Sequence, residues 1–353
     1  MQKVVMDSEL GDTRYAGRFY YSVTAHEEES DLCGMEMRSL FGCNPNNGCV
    51  ISDKNIDPGR SPFIRGKLTI QLLGDDAAGI AAQVADAVRL DGRTFKVVFV
   101  GGGDACESFD FDRQRAIEKE IGWQIVGKAE MRRPDRLFGV AYADGRYLFG
   151  EYEKSEALWL KYNDKPQPYS TALSTRVARA VVNIAAPTTK ERVIDPCCGI
   201  GTVIIEALSM GISIVGFDNN PLALKGARIN LAHFGMPDVV KLADMTTLEP
   251  STLLLREDGG GASGSVGSDG AVPINRRVFD SAIIDLPYNL CSKLPSAERL
   301  AMLRSAGRLA ERVIIVTTEL IDDDIAEAGF TITDRCIVRK GKFERQVIAC
   351  RMH

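Results

Sequence analysis

The chain has 353 residues, with 43 Lys and Arg against 48 Asp and Glu, a net charge of −5 and 45% apolar residues. This length and apolar content suffice for two or three packed domains, which excludes a disordered protein. No apolar run approaches the roughly 18 residues that cross a bilayer, and the acidic N-terminus lacks the apolar core of a signal peptide, so a cytoplasmic protein without a membrane partner is expected. The nine cysteines form no C-x-x-C pair and the three histidines are scattered, so no metal site is predicted.

The first half of the sequence predicts an α+β region. Strands are expected at Arg18–Val23, Lys67–Leu73 and Phe95–Val100. Helices are expected at Glu27–Phe41, Asp76–Leu90 and Arg113–Ile121. The region ends in a predicted hairpin of residues 137–143 and 147–152, which turns at Asp144, Gly145 and Arg146.

A linker is predicted at 154–170, and from residue 171 onward strands alternate with amphipathic helices, which is typical of a doubly wound parallel sheet. Ser170 is expected to cap a helix that runs to Ile184. The predicted strands are 191–195, 213–218, 239–245, 279–285 and 312–318, followed by a closing hairpin of 330–338 and 344–350. The predicted helices between them are 202–210, 221–234, 296–310 and 320–328. Six glycines in 257–270 indicate a flexible loop.

The strongest motif is the sequence DPCCGIGT at 195–202, where a strand runs into a glycine turn and then a helix. Glycine permits both the sharp turn and a close approach of the backbone to a ligand. Asp218 ends the next strand, where its carboxylate could accept from both hydroxyls of a ribose. A dinucleotide fingerprint would need a third glycine, and Ile204 stands there instead, so a cationic cofactor is favoured over NAD. An ordinary turn with Asp218 as a helix cap is the alternative.

The second motif is the sequence DLPYN at 285–289, which ends the fourth strand of the predicted sheet. Open α/β sheets bind their ligands at these strand ends. Asp285 and the carbonyl of Leu286 could accept hydrogen bonds from an amino group on a planar base, and Tyr288 could stack on the ring. Pro287 would stiffen the backbone between them. A simple turn at the end of the strand is the alternative.

Together the two motifs resemble those of class I S-adenosylmethionine-dependent methyltransferases that modify amino groups of nucleobases, and most closely the THUMP-containing tRNA guanosine-N2 methyltransferases. The resemblance covers roughly residues 165–353, including the sequence KPQPYSTALSTRVARAVVNIA before the first strand, and it implies a Rossmann-like methyltransferase sheet. Leu286 replaces the proline that is common in amino-methyltransferases, a variant that resembles the guanosine-N2 branch.

The resemblance implies a set of site residues. S-adenosylmethionine would contact Tyr169, Ser170, Asp195, Cys198, Gly199, Gly201, Thr202, Asp218, Asn219, Asp244 and Met245. Catalysis would involve Asp285, Leu286, Pro287 and Tyr288. Alternatives stay open for three of these residues, because Asp244 could be a surface helix cap, and Tyr169 and Ser170 could be only a helix entry.

The first half resembles a THUMP arrangement over residues 114–150. The implied domains are a ferredoxin-like segment at 1–60, a THUMP-like RNA-binding domain at 61–153 and the methyltransferase domain at 171–353. The implied RNA partner is tRNA, for which the predicted contacts are Lys128, Arg132, Arg133, Arg136, Lys340 and Lys342. These basic residues could instead be solvated surface.

The resulting hypothesis is transfer of a methyl group from S-adenosylmethionine to the exocyclic N2 of a guanosine in tRNA. The alternatives are an rRNA guanosine-N2 or an adenine-N6 methyltransferase, or a non-catalytic RNA-binding protein with this fold. The acidic balance does not oppose an RNA site, because residues 1–50 hold eight acidic and four basic residues and thus account for −4 of the net −5.

Overall fold

A computed structural model describes residues 15, 17–101, 109–169, 172–250, 277–286, 294–341 and 343–353. The chain divides into two compact units. The first unit contains Met1–Ala25 and Phe41–Ala157, and the second contains His26–Leu40 and Leu158–His353. The predicted glycine-rich loop at 257–270 lies outside the described residues. None of the described helices is long and apolar enough to span a bilayer.

The first unit is built on a six-stranded sheet in the order β2-β1-β3-β6-β5-β4. Its strands are β1 (Phe19–Val23), β2 (Cys49–Ser52), β3 (Ile64–Gly74), β4 (Phe95–Phe99), β5 (Arg136–Ala143) and β6 (Arg146–Lys154). Helix α1 (Ser30–Phe41) lies between β1 and β2 in sequence but belongs almost entirely to the second unit. Helices α2 (Ala77–Ala87) and α3 (Phe111–Gly122) belong to the first unit.

The prediction of an α+β region is confirmed, with one strand missed. At the predicted hairpin, Asp144 and Gly145 have φ angles of 51° and 82°, as a two-residue turn between twisted strands requires. Strand β2 was not predicted; it has only four residues, although the turn residues Asn47 and Gly48, with φ angles of 48° and 69°, directly precede it. β1 pairs with both β2 and β3, so residues on either side of position 60 share one sheet. The assignment of ferredoxin-like and THUMP-like domains stays a prediction.

The second unit contains a seven-stranded sheet in the order β12-β13-β11-β10-β7-β8-β9. Its strands are β7 (Arg192–Asp195), β8 (Ser213–Asp218), β9 (Val240–Leu242), β10 (Phe279–Asp285), β11 (Ala310–Thr317), β12 (Phe330–Lys340) and β13 (Phe343–Met352). Its further helices are α4 (Thr175–Ala185), α5 (Thr202–Ser209), α6 (Pro221–His233), α7 (Ser296–Leu309) and α8 (Asp322–Glu327). The predicted doubly wound sheet with a closing antiparallel hairpin is confirmed.

This topology fixes where a ligand can bind. Strand β7 lies in the middle of five parallel strands. β8 and β9 follow on one side of it, and β10 and β11 follow on the other. The order therefore reverses between β7 and β10. A crevice forms at such a point beyond the carboxyl ends of the strands, where open α/β sheets bind their ligands. Asp195, Asp218 and Asp285 are the last residues of three of these strands.

Two sequence-based boundaries are wrong for local reasons. Helix α4 begins at Thr175, and its N-cap is Ser174, whose hydroxyl accepts from the amide of Val177; Ser170, the predicted cap, lies outside the described residues. Strand β9 ends at Leu242 rather than at residue 245, because the Asp244 side chain caps a single helical turn that follows it.

Candidate active site

A cavity of about 700 Å³ lies at the carboxyl edge of the second unit's sheet. Its size suits a ligand such as a nucleoside cofactor. Seven of the predicted site residues line it: Tyr169, Gly199, Asp218, Asn219, Asp244, Met245 and Asp285. The sequence reasoning missed the others: Gln167, Pro168, Pro196, Cys197, Ile200, Asn220, Leu222, Ala223, Gly226, Thr246, Glu298 and Met302.

The glycine turn is held directly by Asp218. Gly199 and Gly201 have φ angles of 53° and 81°, a left-handed conformation that favours glycine. The amide of Gly199 donates to Oδ2 of Asp218 at 2.8 Å, and the amide of Asn220 donates to Oδ1 at 2.8 Å. A carboxylate has about four acceptor positions, so Asp218 can brace the turn and still accept from ribose hydroxyls.

A buried amide joins three segments around the cavity. Asn230 of α6 is fully buried, and its Nδ2 donates to the carbonyls of Gln167 at 3.0 Å and Ile200 at 3.1 Å. Its Oδ1 accepts from the amide of Gln167 at 2.9 Å. Asn230 thus fixes the segment before α4 against the glycine turn. Its partners are 63 and 30 residues away, so no local sequence pattern could have found it.

Asp244 caps the helical turn that follows it and also lines the cavity. Its Oδ1 accepts from the amide of Thr246 at 2.8 Å and from the Thr246 hydroxyl at 2.7 Å, so it is a helix cap. These bonds lower the pKa of its carboxyl. The residue also lines the cavity, beside the buried Met245, whose Sδ lies 3.2 Å from Sγ of Cys197. An exposed carboxylate and a thioether here suit the amino group and the face of a purine.

Four predicted cofactor residues do not line the cavity: Asp195, Cys198, Gly201 and Thr202. Asp195 is buried, and its carboxyl accepts from the amide of Cys197 at 3.2 Å. Burial, with the charges of Asp285 and Asp218, raises its pKa well above the ordinary value. Burial likewise raises the pKa of the Cys197 and Cys198 thiols, which favours their protonated form.

Asp285 differs from these carboxylates. It ends β10, lines the cavity, and its Oδ1 is buried with no hydrogen-bond partner among the described residues. Burial raises its pKa to about 7, and the positive charge of Arg345 acts in the opposite direction. Leu286 follows with its side chain in the core, and its amide donates to the carbonyl of Val316 at 3.0 Å. The predicted residues Pro287 and Tyr288 lie outside the described residues.

The predicted RNA contacts of the first unit have different environments. Lys128, Arg132 and Arg133 are exposed. Arg136 pairs with Glu151, and its Nη1 donates to the carbonyl of Arg89 at 2.7 Å. Lys128 also lines a second cavity, of about 590 Å³, together with Arg89 and Arg93. In the second unit, Lys340 is the last residue of β12, and Lys342 lies outside the described residues.

Comparison with known families identifies the domain around the cavity. Residues 163–254 match the family model described as "UPF0020: RMKL-like, methyltransferase domain". This range contains the glycine turn, Asp218 and Asp244. Over this range the chain is similar to a methyltransferase domain, and the strand order and the cavity agree with a Rossmann-like fold.

Parts of this chain are also similar to curated RNA methyltransferases. The tRNA (guanine(10)-N2)-dimethyltransferase of Methanothermobacter thermautotrophicus is 26% identical over 48% of this chain and 54% of its own length. The protein of the same name from Pyrococcus abyssi is 33% identical over 38% of this chain and 42% of its own length. The U6 snRNA (guanine-N(2))-methyltransferase THUMPD2 of Bos taurus is 27% identical over 38% of this chain and 26% of its own length.

The chain therefore matches about half, or less, of the length of these relatives. Among solved structures, TrmN from Thermus thermophilus aligns with 95% of this chain and 100% of its own, with 18% identity and a TM-score of 0.47. The curated relatives confirm the resemblance to guanosine-N2 methyltransferases that the sequence motifs indicated.

Proposed function

We propose that this protein transfers a methyl group from S-adenosylmethionine to the exocyclic N2 of a guanosine in tRNA. The observation that carries the proposal is that one cavity brings together the glycine turn, the Asp218 and Asp244 carboxylates and the unpartnered oxygen of Asp285. The first three suit a nucleoside cofactor. The fourth suits an amine that must be held while it reacts.

The cavity fits the cofactor in both chemistry and charge. Gly199 has open space where a side chain would stand, which lets a ligand approach the backbone. Asp218, Asp244 and Met245 line the cavity, where they would contact the ribose, the adenine amino group and the ring face, respectively. Several carboxylates near the cavity favour a cationic ligand over a pyrophosphate. When bound, S-adenosylmethionine supplies an electrophilic methyl group on a sulfonium.

Asp285 would act on the amine. An exocyclic amine is a weak nucleophile because its lone pair is delocalised into the base. The unpartnered Oδ1 of Asp285 can accept one N–H, which turns the nitrogen lone pair toward the methyl group and stabilises the positive charge that develops on nitrogen. During methyl transfer the nitrogen would gain a C–N bond as the C–S bond of the donor breaks, and it would then lose one proton. Ionised Asp285 can take that proton, since its pKa of about 7 lies near neutrality.

The names of the relatives support the choice of target atom. Both dimethyltransferases and THUMPD2 carry guanine-N2 in their names, although their RNA substrates differ. The two dimethyltransferases support tRNA as the substrate class. A target base inside a duplex or a stacked loop would have to turn out of its stack to reach this cavity.

A labelling experiment tests the proposal. The full chain is incubated with methyl-labelled S-adenosylmethionine and, separately, with unmodified tRNA, rRNA, U6 snRNA and DNA, and the labelled nucleoside is then identified after digestion. We expect N2-methylated guanosine from the tRNA pool. Label only in N6-methyladenosine would overturn the target atom, and label only with another RNA would overturn the substrate class. No label in any pool, with intact cofactor binding, would favour the non-catalytic binder.

A test variant and a control variant of the labelling experiment lie on the same strand, β10. Asp285→Asn removes the acceptor charge, whereas Asp280→Asn changes an exposed residue at the opposite end of β10. Oδ2 of Asp280 accepts from the amide of Arg192 at 2.7 Å, a bond that the asparagine oxygen can keep. Only the first variant should abolish the label.

A further inference from the structure

Arg345 is a charged residue near the candidate site that the sequence reasoning did not assign to catalysis. It lies at the start of β13, and it is only partly exposed. Its guanidinium packs over the ring of Phe343, with 5.1 Å between the guanidinium carbon and the ring centroid. The packing limits the directions in which this long side chain can extend. Arg345 therefore occupies a defined position in the sheet.

The register of the sheet places Arg345 on the same face as Asp285. Asp285 is level with Val316 in β11, and Val316 is level with Val347 in β13. Residues at one level of a sheet project from the same face, and residues two apart in a strand do so as well. Arg345 precedes Val347 by two positions, so its side chain leaves the sheet on the Asp285 face.

The same register places Arg345 at the ligand-binding edge. β13 is antiparallel to β11, so the start of β13 adjoins the carboxyl end of β11. Asp285 and Arg345 are two strands and two residues apart in the sheet. With about 4.8 Å between strands and about 3.4 Å between residues, the diagonal between them is about 12 Å. An extended arginine spans more than half of that distance. The charges of Arg345 and Asp285 act on each other, which is consistent with this geometry.

We propose that Arg345 is a positioning residue for methyl transfer, whose guanidinium favours the ionised form of the Asp285 carboxylate at the cavity. The inference rests on the proposed function, because it assumes that Asp285 accepts from the target amine. Other ionisable groups of the described residues around Asp285 are Tyr169, Asp195, Cys197, Asp218, Asp244 and Glu298. None of these groups carries a positive charge, so they cannot replace the guanidinium.

The expected consequence is a displaced pH dependence. Burial alone favours the protonated, inactive form of Asp285, and a nearby positive charge favours the ionised form. Removal of that charge should therefore raise the pKa of Asp285 above its value of about 7. A nearby opposite charge typically changes a carboxyl pKa by about 1 to 3 units. The transfer rate of the variant should fall near pH 7 and recover at higher pH.

The test compares kcat/KM for tRNA over pH 5.5 to 9 in Arg345→Gln, Arg345→Lys and the wild type. In Arg345→Gln the acidic limb of the profile should move upward by about one pH unit or more, with a rate loss of about tenfold on that limb. Arg345→Lys retains the charge and should recover most of the profile. The matched control is Arg351→Gln, at the opposite end of β13, where Arg351 pairs with Glu311 and no displacement is expected.

A second readout does not need activity. Carbon-13 NMR titration of aspartate carboxyls, with Asp285→Asn used for assignment, should show a higher Asp285 pKa in Arg345→Gln than in the wild type. An unchanged Asp285 titration, or a rate loss of equal size at every pH, would overturn the inference and leave the proposed function intact. Absence of guanosine methylation by the wild type would instead overturn the proposed function, whatever the titration shows.

Discussion

Asp218 and Asp285 end two strands of one sheet and line the same cavity, yet their surroundings are opposite. Backbone amides of Gly199 and Asn220 bond both oxygens of Asp218. Asp285 has a buried oxygen with no partner among the described residues. A satisfied carboxylate holds a loop and a ligand in place, whereas a buried and unsatisfied one costs stability and is available for chemistry. In the proposed function, this difference assigns cofactor binding to Asp218 and the reaction to Asp285, within one cavity of about 700 Å³.

The largest expected effect is kinetic. Asp285→Asn should lower kcat by about 10²- to 10⁴-fold, because it removes the charged acceptor that engages the amine. Cofactor affinity should change by less than about threefold, because the amide keeps the shape of the side chain. Single-turnover rates and isothermal titration calorimetry measure the two quantities. A parallel loss of both would mean that Asp285 serves cofactor binding, and the contrast with Asp218 would disappear.

The same substitution should increase stability. The pKa of Asp285 is about 7 in the folded protein and near 3.9 in an unfolded chain, so folding holds a proton that the unfolded chain releases. The stability associated with this carboxyl is complete below pH 3.9 and is lost as the pH rises to about 7. Asp285→Asn should therefore gain stability over the wild type between pH 4 and 7 and keep a constant gain above, with an upper bound of about 4 kcal/mol.

Chemical denaturation of both proteins at pH 5, 6, 7 and 8 measures this gain. Asp280→Asn is the control, because the Asp280 side chain is exposed and should show no such trend. A wild type more stable than Asp285→Asn at pH 8 would show that partners bound in solution satisfy the carboxylate.

A smaller effect, on cofactor affinity, is expected from substitution of Asp218 at the end of β8. Asp218→Asn places an amide where two backbone N–H groups now donate to a carboxylate, so one of those bonds must be lost. Cofactor affinity should fall by about 10- to 100-fold, since a hydrogen bond to a charged group contributes about 1.5 to 3 kcal/mol. Turnover at saturating cofactor should change little. A large loss of kcat without a loss of affinity would reverse the roles assigned to the two carboxylates.

Local patterns made the fold and part of the site predictable. The glycine turn, Asp218 and Asp285 could be found because each ends a strand whose apolar run is visible in the sequence, and such strand ends meet at one edge of the sheet. The predicted ends of helices and strands were wrong where neighbouring polar residues could cap the same helix or turn. Ser174 rather than Ser170 caps α4, and Asp244 ends β9 early by capping the next turn.

Contacts between distant segments could not be predicted. In the second unit, Nδ2 of Asn183 on α4 donates to Glu36 of α1 at 2.6 Å, although 147 residues separate them. The effect of Arg345 on Asp285 likewise depends on how β13 inserts between β11 and β12. A one-residue shift in that pairing would turn Arg345 to the other face. Such contacts follow from the sheet register, which short sequence windows do not specify.

The hydrogen bonds of the Asn230 amide hold two segments around the cavity together, and these bonds do not depend on pH. Its three hydrogen bonds to Gln167 and Ile200 involve no ionisable group, so they are the same at pH 5 and at pH 9. In contrast, the Asp285 carboxyl in the same cavity has a pKa of about 7. Acidity should therefore change how fast the protein works while the segments joined by Asn230 stay in place. The protein would remain able to bind its cofactor under mildly acidic conditions in which it transfers little methyl.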